Sequence, residues 1–204
     1  MTVVVVAVVA AVLTAGCSGS ARPSLAVAPA TTTTTTSAPA ASSTAPVTAP
    51  LTGPLPAAIT TADGVTLRVT GRAAGGAYAV AMPCDDAAAA HGSPTPQPTV
   101  VLDPGHGGDE DGAMAPNGLA EKSVNLAVAE VAKDALEQAG VPTVLTRAGD
   151  YGMTLTARTQ LTLALRPRAF VSIHHNALPD GPSSKPGTET YYQVAAPDSK
   201  RLAG

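Results

Sequence analysis

The sequence predicts an α/β domain with a mostly parallel sheet flanked by helices, preceded by a disordered linker and a small β module. Three observations carry this. From Thr99 onward, apolar strand-like runs alternate with helical periodicity in the order strand, helix, strand, helix, strand, as parallel βαβ construction requires. Two of those strands close on histidine, at the carboxyl edge where such sheets gather their sites. Ahead of Thr99 the composition shifts to Ala, Thr, Pro and Ser with few charges.

Residues 1–17 read as a targeting segment. Val3 to Leu13 is an uninterrupted apolar run, and no charge precedes Arg22. The run falls short of the roughly 20 apolar residues of a membrane span and suits the apolar region of a secretory signal. Its end, Leu13-Thr14-Ala15-Gly16-Cys17-Ser18, resembles the lipobox of bacterial lipoproteins. That resemblance implies acylation of Cys17 and a secreted or envelope protein, lipid-anchored to the outer face of the cytoplasmic membrane. The sequence departs from the pattern by placing Leu13 four residues before the cysteine and by carrying no Lys or Arg near its start. A cleaved, soluble signal is the alternative.

Residues 18–56 form a Thr/Pro/Ala-rich linker, with a run of six threonines from Thr31 to Thr36 and no charge between Arg22 and Asp63. Too little bulky apolar side chain is present to offset the entropy of ordering it, so the segment is expected to be disordered. Residues 57–96 read as a small β module and connector. Val65 to Thr70 and Tyr78 to Val80 alternate as strands about a turn near Gly75-Gly76. Two strands are too few to hold a core alone, so the module is expected to pack on the main domain or to belong to a small SH3-like β unit. Cys84 is expected to be a thiol without a partner, and His91 a solvated loop residue.

The main domain is assigned to residues 97–204. Thr99 to Leu102 is a buried strand, ended by Asp103-Pro104-Gly105 and followed by His106 between glycines. Val124, Val128, Val131, Ala135 and Leu136 recur at helical spacing between Ala120 and Ala139, and Gly140 is placed to stop that helix. Glu121 lies in its first turn, where a carboxylate also suits the helix dipole. Val141 to Thr146 is the next strand, Thr154 to Leu165 a second helix, and Ala169 to Ile173 a buried strand that runs into His174-His175-Asn176. Two imidazoles and a carboxylate from neighbouring strand and helix ends match the donors of hydrolytic zinc sites. Such a metal polarises a carbonyl and makes water acidic.

These segments resemble the zinc-dependent N-acetylmuramoyl-L-alanine amidases of the amidase 3 family. The resemblance rests on VVLDPGHGG (Val100 to Gly108), NGLAEKSVNLAVA (Asn117 to Ala129), Thr146-Arg147, LTAR (Leu155 to Arg158), FVSIHHNA (Phe170 to Ala177) and GTETYY (Gly187 to Tyr192), the last as a further strand. It implies Zn2+ held by His106, Glu121 and His174. His174 is chosen over His175 because the family's ligand directly follows the Ile173 position, and strand alternation would turn His175 away. Asp103 is a candidate acceptor of a hydrogen bond from the His106 ring, the other reading being that it stabilises the turn before Gly105. Arg158 and Asn176 match family positions without an assigned role.

The activity implied is hydrolysis of the amide between N-acetylmuramoyl and L-alanine in peptidoglycan. The proton-transfer glutamate that the family carries in a later strand is expected beyond Gly204. Ser199 to Leu202 reads as the opening of another helix, and Glu189 is at the wrong position for that glutamate. A metal-binding but non-catalytic envelope-binding or regulatory lipoprotein is the alternative. The expected partner is peptidoglycan, with membrane attachment only through Cys17. A net charge of −3 and five aromatic residues offer no basic, stacking surface for nucleic acid.

Overall fold

A computed structural model of the chain describes residues 52–84, 86–176, 188–194 and 197–203. The targeting segment with Cys17 and almost all of the linker lie outside the described residues.

The N-terminal part is a five-stranded antiparallel sheet. Its strands are β1 (Ala58–Thr60), β2 (Thr66–Arg72), β3 (Tyr78–Ala81), β4 (Ala87–Ala90) and β5 (Ser93–Pro94), in spatial order β4-β3-β2-β1-β5. The sequence reading anticipated two strands. It missed β4 because four consecutive alanines carry no alternation, and β1 and β5 because they are too short to show any. Ile59, Val65, Leu67, Tyr78, Val80 and Ala90 form the core of this sheet. The core is completed by Tyr151, from the loop after the seventh strand of the chain. The module therefore packs on the main domain, as its small size requires.

The second part comprises β6 (Val100–Pro104), α1 (Glu121–Gln138), β7 (Thr143–Leu145), α2 (Leu155–Leu165), β8 (Ala169–Ile173) and α3 (Pro197–Ala203). Its three strands are all parallel in the order β7-β6-β8, which bears out the α/β reading. Alternation along β6 sends successive side chains to opposite faces. Leu102 packs with Leu145, Ala129, Val171 and Ile173 on the α1 side. Val101 packs with Leu161, Leu165, Val144 and Phe170 on the α2 side, joined by Ala58 from β1. Thr154 caps α2 by accepting from the Ala157 amide at 3.0 Å. No helix among the described residues is long and apolar enough to cross a membrane.

Three expectations are corrected. The buried face of α1 is Glu121, Asn125 and Ala129, whereas Val128 and Val131 are exposed. The helix is rotated from its valine stripe because its first two turns must face polar groups at the strand ends. Thr188 to Tyr192, expected as a strand, is irregular. Cys84 is disulfide-bonded rather than without a partner.

Candidate metal centre

Register brings the two histidines together. In the parallel pairing of β6 with β8, Pro104 lies opposite Ile173, and the Gly105 amide donates to the Ile173 carbonyl at 3.0 Å. His106 and His174 therefore leave the sheet edge side by side, with ring centroids 4.8 Å apart at 82°. Gly105 allows this approach, since a side chain there would collide with the His174 ring. His106 itself has φ 62°, a left-handed conformation that costs energy in any residue with a Cβ.

Glu121 enters between them from the start of α1. Its Oε2 lies 3.3 Å from His106 Nε2 and its Oε1 3.0 Å from His174 Nδ1. The Ala113 amide donates to Oε2 at 2.8 Å and the His175 amide to Oε1 at 2.9 Å, which fixes the carboxylate plane. Burial alone would raise the Glu121 pKa, but these hydrogen bonds outweigh it and hold the group ionised well below the usual carboxylate range. The hydrogen bond to Glu121, against the opposing effect of burial, raises the His106 pKa.

One donor atom from each of His106, Glu121 and His174 lies within 4.8 Å of the others. The donor set, two imidazoles and a carboxylate held ionised, fits a divalent metal of the zinc class. Close packing supports the fit. A Cβ at Gly112 would stand 2.6 Å from His106 Cδ2 and 2.7 Å from Glu121 Oε2, so the residue facing both side chains has no room for one.

Around the three donors lies a layer of polar groups. Asp103 does not reach the His106 ring, which corrects that expectation. Its Oδ1 accepts from Thr146 Oγ1 and Arg158 Nη1, both at 2.6 Å, and its Oδ2 from Ser172 Oγ at 2.8 Å. It points to the α2 face, the side taken by Val101 two residues earlier, because Asp103 is still inside β6, where alternation fixes its direction. Burial opposes its ionisation, but the Arg158 charge and these hydrogen bonds hold its pKa below the ordinary value. The carboxylate facing His106 Nδ1 is instead Glu110, at 3.5 Å.

Arg158 also donates to the Pro104 carbonyl at 2.9 Å and to the His106 carbonyl at 2.7 Å. Arg147, 1% exposed, donates to the carbonyls of Pro104, Gly105 and Lys122 at 2.8 to 2.9 Å. Burial among carbonyls, with Arg158 nearby, pushes its pKa down to about 10. Lys122 joins Asp111 at 2.8 Å and Asp150 at 3.2 Å, and donates to the Gly108 carbonyl.

His175 turns away from the donors, and its Nδ1 lies 2.7 Å from Asn125 Oδ1. Asn125 is fully buried and donates to the Gly105 carbonyl at 3.1 Å. His91 and Asn176 are exposed. Glu189 is exposed and accepts from Tyr191 Oη at 2.7 Å, with no contact to the donor cluster recorded among the described residues. Sequence reasoning left Arg147, Lys122 and Asn125 without roles. Asn125 had one usable signal, a polar residue one turn after Glu121 on what must then be a buried face.

Residues 100–204, half of the chain, match the amidase 3 family, described as N-acetylmuramoyl-L-alanine amidase. The chain belongs to that family. Among curated relatives, it is 42% identical over 123 residues to the uncharacterized protein YqiI of Bacillus subtilis, covering 59% of this chain and 56% of YqiI. It is 41% identical over 107 residues to the N-acetylmuramoyl-L-alanine amidase LytC of the same organism, covering 52% of this chain and 21% of LytC. Among solved amidase structures, the catalytic domain of CwlV, an N-acetylmuramoyl-L-alanine amidase from Bacillus (Paenibacillus) polymyxa var. colistinus, is 40% identical. That similarity covers 51% of this chain and 57% of the CwlV domain, with a TM-score of 0.46. The chain thus spans between about a fifth and just over half of the relatives' lengths.

Proposed function

We propose that this chain belongs to an enzyme hydrolysing the amide between N-acetylmuramoyl and L-alanine in peptidoglycan, using Zn2+ held by His106, Glu121 and His174. The convergence of these three side chains within 4.8 Å, in a chain of the amidase 3 family, is the observation that supports it. The bound metal would supply Lewis-acid polarisation of the amide carbonyl and lower the pKa of attacking water.

The chain's own residues do the rest by holding geometry. Glu121, ionised and fixed by two backbone amides, contributes negative charge that favours a cation at the site. His106 and His174 present ring nitrogens to the same point from adjacent strand ends. Asn125 ties Gly105 to the His175 ring and keeps both strand ends against α1. No described residue is assigned proton transfer to the leaving amine. Glu189, exposed and paired with Tyr191, is not assigned that step.

The protein is read as secreted or envelope-associated, with peptidoglycan as its partner. A disulfide at Cys84 suits an oxidising compartment. Mass analysis of the mature N-terminus under non-reducing conditions tests attachment: a diacylglyceryl thioether on Cys17, which would leave it no sulfur to share with Cys84, supports a lipid anchor, and a Cys17 joined to Cys84, the one other cysteine of the chain, supports a soluble form.

The activity test is incubation with purified peptidoglycan, with and without zinc. New L-alanine amino termini that depend on zinc are expected. Release of glycan reducing ends or acetate would overturn the amidase reading. Stoichiometric zinc binding with no cleavage would favour the envelope-binding alternative for these 204 residues.

A further inference from the structure

The loop that carries His106 is held by two buried arginines, and their hydrogen bonds are unevenly distributed. Of the described hydrogen bonds from Arg147 and Arg158, four end on the three consecutive carbonyls Pro104, Gly105 and His106. One guanidinium grips the loop from each of two elements. Arg147 follows β7, and Arg158 projects from the first turns of α2. Arg158 is itself fixed by the Asp103 carboxylate, which Thr146 and Ser172 orient. The gripped residues include His106 in its left-handed conformation, which a free loop would leave readily.

We propose that Arg147 and Arg158 are positioning residues that set the metal affinity of the site by holding the Pro104–His106 backbone in its ligating conformation. This rests on the reading of His106, Glu121 and His174 as metal ligands. The physical argument is one of preorganisation. An imidazole placed by a strained backbone binds metal at full strength only if the strain is met before the metal arrives. Each guanidinium presents several donors in a rigid plane, so it can satisfy successive carbonyls at once. A lysine ammonium has its three donors on a single atom, so it cannot span carbonyls as a planar fork does. Among the described residues Arg147 donates to carbonyls and to no carboxylate, so its bonds go to the loop and its neighbours rather than into an ion pair.

The test separates positioning from mere support of the fold. A residue that stabilises zinc-free and zinc-loaded forms equally leaves the zinc Kd of the folded protein unchanged. The 204-residue chain is titrated with Zn2+ against a competing chelator, as wild type, Arg158→Lys and Arg147→Lys. Both variants are expected to bind zinc about 10- to 100-fold more weakly, with the wild-type far-UV circular dichroism retained. A folded Arg158→Lys with wild-type zinc affinity overturns the proposal. Should the arginine variants fail to fold, Thr146→Val carries the test, since it removes only one hydrogen bond orienting Asp103. A several-fold weaker Kd supports the proposal, and an unchanged Kd overturns it. A wild-type chain that binds no zinc overturns instead the metal reading beneath it.

Discussion

Gly105→Ala isolates one contact at the centre of the site. Gly105 is not among the residues with positive φ, so alanine should meet no backbone strain there. On conformational entropy alone the substitution would be slightly stabilising, by about 0.4–1 kcal/mol through the unfolded state. The obstacle is steric. The new Cβ would stand 2.7 Å from His174 Nδ1, with Cε1 and Nε2 of the same ring closer still. Carbon contacts are comfortable near about 3.5 Å, so the ring must move by about 1 Å. Metal–ligand distances tolerate about 0.2 Å, so His174 should be lost as a good ligand. Zinc affinity should fall by about 100-fold, on the scale of strong outer-layer substitutions. At saturating zinc, that fall removes about 2.7 kcal/mol of zinc-dependent stabilisation. Chelator competition measures the affinity, and unfolding with and without zinc measures the stabilisation. Wild-type zinc affinity in a folded Gly105→Ala would refute the placement of His174 as a ligand.

Zinc affinity should also depend on pH. His106 has a raised pKa in the metal-free protein, so below that value zinc must displace a proton, and binding should tighten from pH 6 through pH 7 and beyond; a flat Kd over that interval would count against His106 as a ligand. Asp103→Asn should destabilise by about 3–5 kcal/mol at neutral pH by leaving the buried Arg158 charge uncompensated. Because the folded-state pKa of Asp103 is depressed, its contribution is complete above its unfolded value and is lost as pH falls through the lower folded value. Urea unfolding at pH 7 and below about pH 4 should therefore show the gap between wild type and variant shrinking in acid, and a constant gap would refute the ion-pair account. Tyr151→Ala should cost about 3–5 kcal/mol as a large-to-small core change, against about 1 kcal/mol for Tyr151→Phe, which loses only the hydrogen bond from the Ala148 amide at 3.1 Å.

The parallel core was legible because each of its strands is an apolar run of adequate length ended by turn residues. Ala169–Ile173 was bounded correctly, and Val100–Pro104 and Glu121–Gln138 to within two residues. The histidines and Glu121 could be read as a cluster because strand ends of a parallel sheet share one edge, a consequence of topology that needs no coordinates. Contacts set by side-chain reach could not be read this way. Asp103 was a candidate acceptor for the His106 ring because zinc-bound histidines need one, but its position inside β6 aims it at Thr146, Arg158 and Ser172. The valine stripe of α1 misled for a related reason. Glu121 and Asn125 face inward to serve the strand ends, and the register of one helix cannot also bury Val131, which is 71% exposed.

That rotation bears on what the N-terminal sheet does. A domain that turns polar residues of α1 inward gives up apolar burial there and must recover stability elsewhere. The five-stranded sheet lies on the opposite side, against α2, with Ala58 in the α2 core and Tyr151 in its own. Tyr151 belongs to the loop that starts at Arg147, and its carbonyl approaches Gly107 too closely for any side chain there. In the same loop, Asp150 accepts from the Gly108 amide at 2.8 Å. The sheet thus anchors through Tyr151 the segment that grips the His106 loop. Loosening that anchor should reach the ligands as well as the core. Tyr151→Ala is therefore expected to weaken zinc binding in whatever fraction remains folded, whereas Leu161→Ala, a comparable loss from the core on the α2 face, should lower stability and leave the zinc Kd unchanged. If both variants shift the zinc Kd equally, or neither does, the N-terminal sheet supports the fold as a whole and has no particular hold on the metal loop.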